Sequence, residues 1–152
     1  MASEGDSRTV AHELRLTQPD APPAFFHGFT MQPHLVEGDY VLTEPISASD
    51  VRLGDVVTYR FEDQFPTRRV VARDERARVF TFMGDSIPGR REYLVSFDDA
   101  LARVVRRRRG DAWLATTDVA WRRQTIRVMV IERSRRSRWL GPVRWATRPL
   151  RR

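Results

Sequence analysis

Short runs of strand-forming residues, separated by turn signals at similar intervals, constrain the fold of this chain most strongly. Gly-Asp pairs at residues 38–39, 54–55 and 84–85 supply some of these signals, because glycine tolerates positive φ and an aspartate side chain bonds nearby backbone. Between them, Val, Tyr, Phe and Thr predominate, and several runs alternate apolar with polar residues. The predicted strands cover residues 25–29, 40–43, 56–61, 69–73, 79–83 and 101–108. We therefore predict a mainly β fold, a small bent sheet or barrel without crossover helices.

The flanks of this β region differ from it in composition. Residues 1–23 are polar and broken by proline, which predicts a flexible N-terminal segment before a β domain at 24–110. Residues 111–152 form a basic extension in which arginine and tryptophan are frequent. Residues at helical spacing in this extension are Trp121, Thr125, Val128, Met129 and Glu132. We predict an amphipathic helix over 119–136 followed by a basic tail, although 126–131 would also suit a strand.

The basic and metal-binding side chains limit the available chemistry. The 27 residues of the Lys+Arg count are all arginine, and the formal net charge is +7. An arginine stays protonated near neutral pH, so the chain has no lysine base. It also has no cysteine, which excludes disulfides, thiolate metal sites and cysteine nucleophiles. The histidines, His12, His27 and His34, are too few and scattered to predict a zinc site, and no cofactor is expected.

Hydropathy gives an expectation about location. No stretch reaches the roughly 18–20 apolar residues of a membrane span, and the first residues lack the basic-then-apolar pattern of a secretory signal. The expectation from these observations is a cytoplasmic protein.

Three blocks of the sequence together resemble a known family. Residues 28–33 read G-F-T-M-Q-P, residues 38–42 read G-D-Y-V-L, and residues 54–57 read G-D-V-V. They are followed by R-R-V-V at 68–71 and M-G-D at 83–85. This order resembles the type I signal peptidase and LexA-like serine peptidase superfamily, over about residues 26–105. In that family a G-x-S-M-x-P segment carries the nucleophilic serine, an H-R-V or K-R block carries the base, and a final G-D carries an acid.

The resemblance implies a role for particular residues. Thr30 stands at the serine position, Arg68 at the position of the His or Lys base, and Asp85 at the acidic position. It further implies that Gly28, Phe29, Met31 and Pro33 bind substrate, with backbone N–H groups near Phe29 and Thr30 forming an oxyanion hole. The implied fold is the β domain of that superfamily, and the implied activity is endopeptidase.

The chemistry of the substituted residues bears on that activity. A hydroxyl attacks only when a base within hydrogen-bond reach takes its proton, and a guanidinium cannot do so at neutral pH. Arg68 can instead hold a carboxylate or stabilise an oxyanion, and we predict that it forms a structural ion pair with Asp85. His27 and His34 flank Thr30, but histidines on an extended segment usually point away from a neighbouring nucleophile.

Three functions follow from these observations. The favoured one is a catalytically impaired, signal-peptidase-like protein that binds an extended peptide in its cleft. The second is an active endopeptidase that uses Thr30 with an unidentified base. The third is a basic adaptor that binds an anionic membrane or nucleic acid through the Arg- and Trp-rich C-terminal half, whose arginine clusters could contact phosphates. Of these two partners nucleic acid is the less expected, because no recognised nucleic-acid motif is present.

Overall fold

Backbone pairing gathers the strands into a curled antiparallel sheet, a half-barrel, with a helix after it. The computed structural model describes residues 15–16, 18, 20–86 and 91–139. Its elements are β1 (Ala24–Phe25), β2 (Tyr40–Pro45), β3 (Val56–Tyr59), β4 (Thr67–Asp74), β5 (Val79–Met83), β6 (Glu92–Ser96), β7 (Ala100–Arg109), β8 (Ala112–Ala115) and α1 (Val119–Trp139). The strand order is β1-β2-β7-β3-β4-β5-β6, and β8 also pairs with β7. The prediction of a mainly β fold with a helix after it is confirmed.

Five of the predicted strands correspond to β2, β3, β4, β5 and β7, with small differences at their ends. The prediction of a strand over 25–29 is too long, because the chain leaves the sheet after Phe25 and turns at Gly28, where φ is 113°. β6 and β8 were not predicted. β8 pairs with the end of β7 through a tight turn in which Gly110 has a φ of 58°, so the predicted boundary at residue 110 lies inside this hairpin. Most of the predicted N-terminal segment and all of the basic tail lie outside the described residues.

The Gly-Asp pairs at 38–39 and 54–55 form two turns with the same hydrogen bonds. The side chain of Asp39 accepts from the backbone N–H of Val36 at 2.9 Å, and that of Asp55 accepts from Arg52 at 2.9 Å. The glycine before each aspartate has positive φ, 89° and 93° respectively. Each turn leads directly towards a strand, β2 or β3. These pairs therefore set where two strands begin, as their composition predicts.

The described residues form three clusters of buried side chains, and the two larger ones hold the sheet together. The first lies mainly on β3, β4 and β5, where alternate residues face inward, and its rings include Tyr59 and Phe82 with centroids 4.5 Å apart. The second is made by the chain around Met31, by β2, β3 and β7, and by Trp121 of α1. Met31 is fully buried in this second cluster, so the residue after Thr30 belongs to the core.

The helix α1 packs on the sheet through one face. Trp121 and Glu132 on this face are almost fully buried, whereas Ile126 and Val130 on the other face are exposed. The buried Glu132 carboxylate accepts from Nε of Arg136 at 3.0 Å, which offsets its burial. The helix is confirmed, and it extends beyond the predicted 119–136. Among the described helices, none is both long enough and apolar enough to cross a membrane.

The turn at Gly54 lies close against α1. A Cβ added at Gly54 would lie 3.0 Å from Cγ2 of Thr125 on the helix, and the φ of 93° is unfavourable for a side chain. We expect Gly54→Ala to lower the free energy of unfolding by about 1–3 kcal/mol, measured by urea titration. A Gly54→Ala/Thr125→Ser double variant removes only the clashing methyl and should recover part of the loss. Equal stability of Gly54→Ala and the wild type would contradict this packing.

Candidate functional site

A cleft of about 390 Å³ opens beside β1 and the beginning of β4. Residues 24–30 and 64–68 supply most of its lining, and both Thr30 and Arg68 are among them. These two residues are far apart in sequence and half-buried in the fold. The fold therefore brings the residues at the predicted nucleophile and base positions to one cavity.

Arg68 and its neighbour Arg69 lie on opposite faces of β4, since side chains alternate along a strand. Arg68 lines the cleft and is half-buried, whereas Arg69 is completely buried. Arg69 pairs in register with Val56 on one side and with Met83 on the other, in the middle of the sheet. Two adjacent arginines thus have different surroundings and different tasks.

Asp85 pairs with Arg69 and not with Arg68, which corrects the predicted ion pair. Nε of Arg69 donates to Oδ1 of Asp85 at 2.7 Å, and Nη2 donates to Oδ2 at 2.6 Å. The Nη1 atom of Arg69 also donates to the carbonyl of Gly54 at 2.6 Å and to Oγ1 of Thr125 at 3.2 Å. The prediction is wrong because strand alternation turns Arg68 away from the side of β4 that Asp85 occupies. Arg69 instead joins the sheet, the turn at Gly54 and α1.

His34 completes this buried group. Its Nδ1 lies 2.7 Å from Oδ2 of Asp85, its ring centroid is 5.1 Å from that of Trp121, and its side chain is fully buried. Burial would raise the pKa of Asp85, but the hydrogen bonds from Arg69 and from His34 hold that pKa below its ordinary value. Burial lowers the pKa of His34, against the opposing effect of Asp85. Since Arg69 already neutralises the carboxylate, His34 is a neutral side chain of the core.

The buried state of His34 gives stability a pH dependence. Because its folded pKa lies below the ordinary 6.5, the unfolded chain takes up a proton first as the pH falls. The contribution of neutral His34 to the free energy of unfolding is complete above pH 6.5. It is lost as the pH falls from 6.5 towards the folded pKa of His34. We expect the free energy of unfolding to fall as the pH is lowered from about 7 through 6.5 towards the folded pKa, measured by urea titration. His34→Gln should flatten this part of the profile, and an unchanged slope in that variant would contradict the assignment.

The surroundings of Arg68 differ from those of a catalytic base. Its Nη1 donates to the carbonyl of Thr67 at 2.8 Å, and its guanidinium carbon lies 6.0 Å from the ring centroid of Tyr93. The phenol of Tyr59 cannot serve as the base instead of Arg68. Burial raises the pKa of Tyr59 to about 12, and the charge of Arg68 offsets only part of that effect. Neither group can accept a proton from Thr30 near neutral pH.

His27 is the histidine that borders the cleft. It lies among the cleft residues with Thr30, and its Nδ1 is 2.9 Å from Oε1 of Glu37. The other oxygen of Glu37 accepts from the backbone N–H of Gly28. The imidazole is largely exposed, and its ring packs against Phe25 with centroids 4.6 Å apart. Sequence reasoning did not single out Glu37, since nothing in the motif marks an acid ten residues after a histidine.

The residues predicted to bind substrate fall into two groups. Gly28 and Phe29 line the cleft, and Phe29 is 67% exposed. Met31 and Pro33 do not line it: Met31 is in the core, and Pro33 is exposed, with its carbonyl accepting from Arg109 at 3.4 Å. A backbone bond from Ser86 N–H to the carbonyl of Thr30, at 3.0 Å, ties the acidic loop to the cleft wall.

Comparisons with protein-family models, with curated proteins and with solved structures found no match to this chain. Within the described residues, no group of three or more His, Cys, Asp or Glu side chains is arranged to hold a metal ion.

Proposed function

We propose that this chain is a signal-peptidase-like protein whose cleft binds an extended peptide segment without cutting it. The observation that carries the proposal is that Thr30 and Arg68 line one cavity while Asp85 is bound to Arg69 on the other face of β4. Asp85, which stands at the acidic position of the family, therefore makes no contact that could orient a base at position 68.

Support for impaired catalysis comes from the groups around the hydroxyl of Thr30. A nucleophilic hydroxyl needs a base that is unprotonated at working pH and within hydrogen-bond reach. Arg68 is permanently charged, and His34 is fully buried against Asp85 and Trp121. The extra methyl of threonine further restricts the rotamers from which its oxygen could attack.

Support for peptide binding comes from the shape and edges of the cleft. β1 stands at the end of the described strand order, so one of its edges has no strand partner among the described residues. An extended peptide can add to such an edge through main-chain hydrogen bonds. The exposed ring of Phe29 offers an apolar contact, and Arg68 offers a cation for a carboxylate, either a peptide C-terminus or an acidic side chain.

Binding is tested with fluorescently labelled peptides of random sequence, each made with a free and with an amidated C-terminus. We expect peptides with a carboxylate to bind, and Arg68→Gln to weaken that binding about 10-fold, since charge-assisted hydrogen bonds are worth about 1.5–3 kcal/mol. Arg52→Gln, which removes an exposed arginine outside the cleft lining, is the matched control. Equal affinity of Arg68→Gln and the control for every peptide would exclude Arg68 as the anchor.

Catalysis is tested with a peptide library and a serine-directed acylating probe on four proteins. These are the wild type, Thr30→Ala, Thr30→Ser, and the Thr30→Ser/Arg68→His double variant. We expect labelling and cleavage in the double variant alone, because only it combines a serine at position 30 with an imidazole at the base position of the family, 68. Cleavage by the wild type that disappears in Thr30→Ala would overturn the proposal.

One observation favours a second candidate, an active endopeptidase. His27 borders the cleft with Thr30, and its Nδ1 faces the Glu37 carboxylate, an arrangement that orients an imidazole and leaves Nε2 for a hydroxyl. The exposure of His27 weighs against it, because catalytic bases usually act where water is excluded. If the wild type cleaves peptides and both His27→Ala and Glu37→Gln remove that activity, the second candidate is correct.

A further inference from the structure

A row of four side chains crosses the outer face of the sheet at one level. Phe25 of β1 pairs in register with Tyr40 of β2, Tyr40 pairs with Arg108 of β7, and Arg108 pairs with Trp113 of β8. The row therefore runs at right angles to the strands and spans three gaps of about 4.8 Å, about 14 Å in all. We call these four residues the aromatic row.

The members of the aromatic row contact one another through their rings and guanidinium. The Phe25 and Tyr40 rings meet edge to face with centroids 5.3 Å apart, and the Arg108 guanidinium lies 4.5 Å from the Tyr40 centroid and 5.7 Å from that of Trp113. Arg106 lies 5.3 Å from the Trp113 centroid on the same face. The three aromatic residues of the row are 36–44% exposed, so part of each ring is open to solvent.

The arginines at 106–109 divide between the two faces of β7. Arg109 donates to both carboxylate oxygens of Asp39 at 2.8 Å, and Arg107 donates to the carbonyl of His34 at 2.6 Å, so these two are structural. Arg106 and Arg108 face outward onto the rings, and within the described part of the chain no carboxylate pairs with either of them. The outward pair therefore supplies positive charge that the described protein leaves uncompensated.

We propose that the aromatic row, with Arg106, binds single-stranded nucleic acid. Exposed rings on a sheet stack on the faces of unpaired bases, and guanidiniums beside them bind the phosphates between those bases. A duplex hides its base faces, so it can use only the charges. A membrane surface also uses Trp and Phe beside Arg, so binding to anionic vesicles is measured as a separate outcome of the experiment. The net charge of +7 favours approach of a polyanion.

This proposal is independent of peptide binding, although Phe25 and His27 border both surfaces. Trp113, Arg106 and Arg108 do not line the cleft, so variants at these positions test the row alone. A wild type that binds peptides but no oligonucleotide would contradict this proposal alone, and one that binds the oligonucleotide but no peptide would contradict only the proposed function.

The experiment measures fluorescence anisotropy of a labelled oligothymidylate of about 15 nucleotides, with a duplex of equal length alongside, at several salt concentrations. We expect the single strand to bind more tightly than the duplex. Trp113→Ala should weaken it about 10-fold, and Trp113→Phe should do so much less, because a ring remains to stack. Arg106→Gln/Arg108→Gln should lower the slope of log K against log salt by about 1.4, since each phosphate contact on a single strand contributes about 0.7.

The matched control is Arg76→Gln/Arg78→Gln, which removes the same charge from exposed residues at the turn between β4 and β5. An equal loss of binding in this control and in the Arg106/Arg108 variant would overturn the proposal, because charge alone would then explain binding.

Tighter binding of the duplex than of the single strand would overturn the proposal as well. So would variant-sensitive binding to phosphatidylserine vesicles without binding to the oligonucleotide, which would assign the row to a lipid surface. Circular dichroism of each variant checks that the β7–β8 hairpin is intact.

Discussion

Asp85→Asn is expected to lower the free energy of unfolding by about 3–5 kcal/mol, because it leaves the buried guanidinium of Arg69 without its carboxylate. Both side chains are fully buried and joined by two hydrogen bonds of 2.7 and 2.6 Å. The substitution keeps the shape of the side chain, so the loss reports charge and hydrogen bonding more than packing. Urea unfolding followed by circular dichroism measures it.

The control for this prediction is Asp98→Asn, which removes an exposed partner from Arg78 at 3.6 Å. Surface pairs of this kind contribute little, so this variant should stay within about 0.5 kcal/mol of the wild type. An Arg69→Met/Asp85→Leu variant, which replaces both charges by apolar groups, should be more stable than Asp85→Asn alone. If Asp85→Asn and Asp98→Asn proved equally stable, the buried pair would have no part in holding the fold.

Trp121→Ala is expected to cost about 3–5 kcal/mol, because it removes the side chain through which α1 joins the core. Trp121 is 4% exposed and packs with the cluster that includes Met31, Leu35, Val56 and Val104. Its loss leaves a cavity between the helix and the sheet and uncovers the imidazole of His34. Denaturant unfolding gives the free energy, and hydrogen exchange should show faster opening of α1.

Ile126→Ala on the opposite face of α1 is the matched control for Trp121→Ala. Ile126 is 60% exposed, so its truncation should change stability by less than about 0.5 kcal/mol. A large effect of Ile126→Ala together with a small effect of Trp121→Ala would mean that the helix packs through its other face.

Strand positions were predictable where local signals and burial agree. The runs at 79–83 and 56–61 carry aromatic and β-branched residues bounded by turn signals, and both form strands in the sheet. β8 was missed because its four residues carry no alternation of their own, and their pairing depends on the hairpin at Gly110. β6 was missed although Tyr93 and Val95 are strand-forming residues, and it pairs antiparallel with β5, the strand before it in the chain.

The site was predictable in part, and the limit lies at Arg68 and Arg69. The order of the motifs predicted that Thr30 and Arg68 belong to one site, and both residues line the cleft. It did not show which of the two neighbouring arginines meets Asp85, although the period of a strand requires them to face opposite sides. Applying that period to β4 would have separated them. The pairing of His27 with Glu37 depends on how the loop folds back, and no signal in the sequence marks it.

The alternation of Arg68 and Arg69 along β4 also bears on how such a protein can change over time. The cleft residue contributes no contact to the buried pair, and the buried residue does not reach the cleft. Selection can therefore exchange the group at position 68 for a histidine or another ligand-binding side chain with little penalty in folding. A scaffold with this separation can lose, gain or alter chemistry one position at a time while remaining folded throughout.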